Sequence, residues 1–166
     1  MGKTLFVKNA RTIVTCDDSD RILANACLYA EDGVILRIGT MEEMKSPDSG
    51  ALFEAADDVI DARGMLIYPG LVNTHHHIYQ IFTRNIPQVQ NMELFPWLTT
   101  LYEYWKNINP RVMRFASYAG LGELLKCGCT TCFDHHYVFP EGVGGLMEAE
   151  FEAASELGIR SIISRG

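Results

Sequence analysis

The chain has 166 residues, 48% hydrophobic and 21% charged, and a formal charge of -7 from 21 acids against 14 bases. That length and composition suffice to bury a core, which excludes a disordered tail and suggests one globular domain or slightly more. With no run of Lys or Arg, the electrostatic footprint for phosphate backbones or anionic lipid is missing, so neither nucleic acid nor membrane is expected as a partner.

The first dozen residues, MGKTLFVKNART, carry charges where a secretory segment is continuously apolar, and no stretch approaches the roughly 20 apolar residues that span a bilayer. Five cysteines, an odd number, then fit reduced thiols in the cytoplasm. Residues 4–15 (TLFVKNARTIVT) and 22–39 (ILANACLYAEDGVILRIG) are rich in β-branched and apolar residues and read as strands, with Asp32-Gly33 as a tight hairpin turn. MEEMKSPDSG (41–50) reads as a surface loop or short helix whose few apolar residues cannot face a core.

After residue 57 the pattern changes. DVIDARGMLIYPGLVNTHHH contains two apolar runs, the second nearly continuous, as expected for a parallel strand covered on both faces. Asn109-Pro110 starts a helix with Val112, Phe115, Ala116, Ala119 and Leu124 at helical spacing, ended by Cys127-Gly128. CTTCFDHHYVF (129–139) is the next strand, LMEAEFEAASEL (146–157) a second helix stopped by Gly158, and IRSIISRG a third strand. Alternation of strand and helix from residue 66 onward is the grammar of parallel β/α units. A boundary therefore falls near residue 66, with a β-sandwich-like segment over 1–66 and an α/β domain over 67–166.

Three of the five histidines stand together in PGLVNTHHH (69–77). Along a strand alternate side chains share a face, so His75 and His77 point one way and His76 the other, with Cα atoms about 6–7 Å apart, close enough to converge on one ion. The C-terminal ends of parallel strands are also where α/β folds place their sites. The alternative is an exposed polar strand end. Asp134, His135 and His136 close the next strand and would line the same mouth, although strand ends bend and parity leaves open which one faces inward. Phe95, Trp97, Tyr102 and Tyr104 either wall a flat heterocycle or form plain core. Cys127, Cys129 and Cys132 contain a C-x-x-C, but a continuous strand sends Cys129 and Cys132 to opposite faces, so buried thiols are preferred to a zinc site.

PGLVNTHHH resembles the first barrel strand of the amidohydrolase superfamily, whose Pro-Gly-x-x-(Asn/Asp)-x-His-x-His signature supplies two metal ligands, and VIDARG resembles the strand leading into it. HHHIYQIFTRN, LFPWLTTLYEYW and GCTTCFDHHYVFP resemble most closely the deaminases of oxidised purines of the 8-oxoguanine type, with the triazine hydrolases close behind.

The resemblance implies the N-terminal part of a (β/α)8 metal-dependent hydrolase barrel, its first three strands and helices falling in 67–166. It makes His75 and His77 ligands of one divalent ion, Zn or Fe, and His76 the variable middle residue. Gln80 matches a position that contacts the substrate ring in similar guanine-type deaminases, and His136 and Trp97 are further candidates for the substrate. The implied activity is hydrolytic deamination of a small purine-like heterocycle by a homo-oligomeric enzyme; a triazine-type chlorohydrolase of the same superfamily, or a non-catalytic α/β module, are the alternatives. The remaining ligands and the acid/base Glu and Asp would lie beyond Gly166, so the chain reads as the front portion of a larger enzyme and is expected to be inactive alone.

Overall fold

The structure, a computed structural model, describes residues 3–44, 53 and 55–166. The chain divides into two compact units, Met1–Pro69 and Gly70–Gly166.

The first unit is built on β1 (Thr4–Val14), β2 (Ile22–Glu31), β3 (Val34–Thr40), β4 (Asp58–Asp61) and β5 (Leu66–Ile67). The sheet order is β3-β2-β1-β4, with β5 also paired to β1. β1, β2 and β3 run antiparallel, whereas β4 and β5 lie parallel to β1. Asp32 (φ 49°) and Gly33 (φ 79°) are both left-handed, the two-residue turn whose twist matches the flanking strands.

Side-chain alternation gives this sheet a core on each face. Val7, Ala10 and Leu28 cluster on one, Phe6, Cys27 and Tyr29 on the other. Where the sequence suggests a sandwich, the described residues of this unit hold a single sheet. The short helix α1 (Met41–Met44) also corrects an expectation, because Met44 is buried against Phe6, Cys27, Tyr29 and Phe53. One turn of helix is enough to aim a single flexible methionine into the gap. The rest of that polar stretch, from residue 45, lies outside the described residues.

In the second unit β6 (Leu71–His76), β7 (Cys129–His136) and β8 (Arg160–Arg165) form a parallel sheet in that order. Two 3-10 turns (Ile78–Thr83 and Pro87–Val89), helix α2 (Leu94–Trp105) and helix α3 (Pro110–Lys126) connect β6 to β7, and helix α4 (Leu146–Leu157) connects β7 to β8.

Asn109 caps α3 by accepting the Val112 N–H at 3.1 Å, and Pro110 occupies a position whose missing donor costs nothing. The buried stripe of α3 is Met113, Ala116, Ser117, Gly120 and Leu121, while Phe115 and Ala119 are exposed. The expected stripe was therefore misphased. The small residues Ala116, Ser117 and Gly120 let the helix approach Ile78 and Ile81, and that contact fixes its face. The aromatic stretch of the sequence folds as helix α2, from which Trp97, Leu98, Leu101 and Trp105 face the core. Each fully buried residue of the size of Leu101 or Met113 contributes roughly 1.5–3 kcal/mol.

The apolar run MLIYPGLV is split between the units, with β5 before Pro69-Gly70 and β6 after it. Gly70 is required by close approach: a Cβ there would overlap the Thr130 side chain at the start of β7. β6 is not covered on both faces among the described residues. It is an edge strand, and Leu71 and Val72 are each 60% exposed.

Candidate metal centre and its surroundings

β6 ends at His76, and His77 opens the 3-10 turn Ile78–Thr83 with φ -136° and ψ 78°. The register between β6 and β7 slips between Asn73 and His76, so the histidines leave the strand along a bent path. Their rings nevertheless converge. The centroids of His75 and His77 lie 4.7 Å apart with planes at 81°. Two nitrogens on a tetrahedral zinc sit about 3.3 Å apart, a spacing that edge-to-face imidazoles at this distance can supply.

His77 is held from behind. Its Nδ1 lies 2.8 Å from the His135 carbonyl oxygen. A carbonyl only accepts, so Nδ1 carries the proton and Nε2 is left with its lone pair, the arrangement of a metal-ligating histidine. His76 turns elsewhere: its Nδ1 accepts the His77 N–H at 3.0 Å. Burial chiefly, with the nearness of His77 and Arg84 adding to it, holds its pKa below the usual imidazole range. The donor chemistry therefore fits a divalent metal on His75 and His77, with His76 outside the set.

The three histidines edge a surface depression of about 220 Å³ together with Gln80, Ile81 and Arg84. Gln80 Nε2 donates to the hydroxyls of Tyr79 and Tyr137, each at 3.2 Å. Tyr137 packs edge-on against His77 at 5.0 Å, and His135 lies 5.9 Å from His77. Ser164 on β8 hydrogen-bonds His135 Nδ1 at 2.8 Å and donates to the Asp134 carbonyl at 3.4 Å. The group around His77 thus gathers His75, Gln80, His135 and Tyr137, of which His75 and Gln80 also line the depression.

Two expected site residues stand apart from it. His136 is fully buried, its Nε2–H donating to the Val138 carbonyl at 3.0 Å and its ring packed on Tyr79 and Phe139. Parity explains this. On β7, Cys132, Asp134 and His136 are buried, whereas the alternating Phe133, His135 and the following Tyr137 are half-buried. His135, rather than His136, shares the face of the histidine pair. Trp97 packs on Trp105 at 5.6 Å, within an aromatic group centred on Trp105, whose Nε1–H donates to Thr83 at 3.1 Å. Cys129 and Cys132 are both buried, as expected of thiols outside a zinc site, and β7 takes an extra residue between the partners of Leu71 and Val72, so strict alternation does not run from one to the other.

Behind β7 lies a second polar group that the sequence reading missed. Asp134, His136 and Glu150 are all buried and present ligand atoms within 4.8 Å of one another. Asp134 Oδ1 accepts the Ile78 N–H at 2.7 Å. Burial pushes the Asp134 carboxyl up, opposed chiefly by that N–H, and burial together with the nearby Asp134 charge pushes Glu150 up further. The signal was present in LMEAEFEAASEL: Glu150 falls on the buried stripe with Leu146, Ala149, Ala153 and Ala154.

Parallel β/α units with two converging histidines at the exit of the first strand place metal-ligand side chains at the strand end where such folds carry their sites. Residues 66–166 match the Amidohydrolase family, and the chain belongs to that family. It is 37% identical over its whole length to 8-oxoguanine deaminase of Pseudomonas aeruginosa, covering 34% of that protein. It is 32% identical to hydroxydechloroatrazine ethylaminohydrolase of Pseudomonas sp. strain ADP, again over the whole chain and 35% of that protein. Atrazine chlorohydrolase from Arthrobacter aurescens TC1, solved in complex with zinc, superimposes with a TM-score of 0.85 at 30% identity, over 97% of this chain and 35% of that one. The chain thus spans about a third of the length of these relatives.

Proposed function

We propose that this chain is the front portion of a (β/α)8 aminohydrolase, in which His75 and His77 are the first two ligands of a divalent metal, Zn or Fe, and that the complete enzyme deaminates a flat nitrogen heterocycle of the 8-oxoguanine type. The observation that carries this reading is the His77 ring, its Nδ1–H fixed on the His135 carbonyl and its Nε2 free beside His75. A metal held there would supply a Lewis acid that brings the deprotonation of water into the neutral range.

The chain's own residues act on position and recognition. The His135 carbonyl sets the His77 tautomer. Gln80 is anchored through its amide nitrogen on two tyrosine hydroxyls, which leaves its amide oxygen to accept an N–H from a purine-like ring. Tyr137 offers a flat wall beside His77. His135 stands at the same mouth as a further contact, while His136 and Trp97 serve packing. Five free thiols support a reducing, cytoplasmic location.

Similarity to the triazine hydrolases favours a second reading, in which the leaving group is chloride or an alkylamine. Incubating the complete protein with 8-oxoguanine, guanine, a pterin and aminated or chlorinated triazines, and measuring ammonia, amine and chloride, separates the two. Ammonia from 8-oxoguanine is expected; chloride release alone would replace the deaminase reading with the triazine one.

A further inference from the structure

We infer that Asp134, backed by His136 and Glu150, is a positioning residue for the metal-ligand segment, fixing through the Ile78 amide the turn that carries His77. The inference rests on the reading of His75 and His77 as metal ligands.

The turn Ile78–Thr83 begins at His77, whose own side chain makes no capping hydrogen bond. Its leading N–H, that of fully buried Ile78, is instead taken by Asp134 from the neighbouring strand at 2.7 Å. A carboxylate at this position is a charge-assisted cap on an otherwise orphaned donor. The next residue of β7 supplies the other contact, because the His135 carbonyl holds the His77 ring. Consecutive residues of one strand therefore hold the ligand segment twice, the Asp134 carboxylate on the main chain just after His77 and the His135 carbonyl on the His77 ring, which fixes both the position and the rotation of the imidazole.

The carboxylate is itself supported. His136 directs Nε2–H to the Val138 carbonyl, so its buried Nδ1 is an acceptor in want of a donor. Asp134 Oδ2 and both Glu150 oxygens are buried there with no hydrogen-bonding partner outside this group, so the two carboxyls have only each other and His136 to turn to. No Lys or Arg of the described residues forms an ion pair with either acid. Two sealed carboxylates without a cation would repel at great cost, and one proton between them removes it. With Glu150 protonated, its hydroxyl serves Asp134 Oδ2 or His136 Nδ1, and Asp134 Oδ1 keeps the charge that holds Ile78. The group is thus a brace running from α4 through β7 to the ligand turn.

The test is zinc binding to the complete protein after chelator stripping, by competition with a chromophoric chelator, with metal stoichiometry and thermal unfolding of the metal-free forms measured alongside. Asp134→Ala should weaken zinc about 10-fold to 100-fold, the usual cost of losing a partner behind a ligand. Asp134→Asn should restore binding close to wild type, since its amide oxygen still accepts the Ile78 N–H, and Glu150→Gln should also stay close to wild type. Should Asp134→Ala fail to fold, Asp134→Ser, whose side chain is too short to reach Ile78, carries the same expectation. Wild-type zinc affinity in Asp134→Ala or Asp134→Ser, or an Asp134→Asn as weak as the alanine variant, would overturn the inference while leaving the ligand assignment intact. Two ions per wild-type chain falling to one in Glu150→Gln would overturn it in favour of a buried cation site. A wild-type protein that takes up no zinc defeats the ligand reading and this inference with it.

Discussion

The two faces of β7 use similar residues for opposite ends. On one, His135 and Tyr137 stand half-buried beside His77 and Gln80, His135 bonded to Ser164 and Tyr137 to the Gln80 amide. On the other, Asp134 and His136 are sealed against Glu150 and the helices. Each histidine has one nitrogen tied, His135 to Ser164 and His136 to Val138, but His135 stays half-buried whereas His136 is sealed in the interior. Parity along a strand, more than residue type, divides chemistry from architecture here.

The sharpest way to break the comparison is at the ligands. His77→Ala or His75→Ala should remove bound metal from the complete protein, by well over the roughly 100-fold that marks an outer partner, whereas His76→Ala should retain it. Metal analysis of the purified variants decides. Metal loss confined to His76→Ala would invert the assigned face.

The adjacent pair comes next. His136→Ala opens a cavity and orphans the Val138 carbonyl, and should cost about 2–4 kcal/mol in chemical denaturation. His135→Ala leaves the carbonyl that holds His77 in place, so it should keep metal and most stability and lower turnover instead. Equal stability losses in the two would erase the distinction between the faces.

Glu150 sharpens the sealed side through pH. Its folded pKa lies above the unfolded value, so the folded chain holds a proton that the unfolded chain releases, and stability falls as pH climbs from the ordinary carboxylate range toward the raised value. Asp134, shifted the same way, His136, held neutral by burial, and the buried Cys132 thiol, pushed up by burial and then by the Asp134 charge, are the titratable groups facing it. Glu150→Gln should flatten the decline, by up to about 1.4 kcal/mol per pH unit for one proton, in denaturation curves run at a series of pH values.

The smallest expected effect is on the open side. Tyr137→Phe removes one of two acceptors from the Gln80 amide, worth about 0.5–1.5 kcal/mol, and should raise KM roughly threefold to tenfold with little change in kcat. An unchanged KM would take Gln80 out of the substrate contacts.

Much of this was legible in the residues. Asn109-Pro110 announced α3, Gly158 ended α4, and Asp32-Gly33 marked the hairpin because each answers to local chemistry. The His75 and His77 pair was visible as an alternation at the end of an apolar run. What escaped depended on contacts distant in sequence. Ala116, Ser117 and Gly120 set the face of α3 through Ile78 and Ile81, overriding the more apolar Phe115. The slip between β6 and β7 resets the parity that was used for Cys129 and Cys132. His135 and His136 were inseparable until a strand end was drawn, and the partnership of Glu150 with Asp134 needs the packing of α4 against β7.

Zinc-edge anomalous diffraction from crystals of the complete protein tests the central claim most directly. The account predicts an anomalous peak between the Nε2 atoms of His75 and His77, with His77 Nδ1 still on the His135 carbonyl. A peak among Asp134, His136 and Glu150 instead, or two histidine rings turned apart with no ion between them, would contradict it.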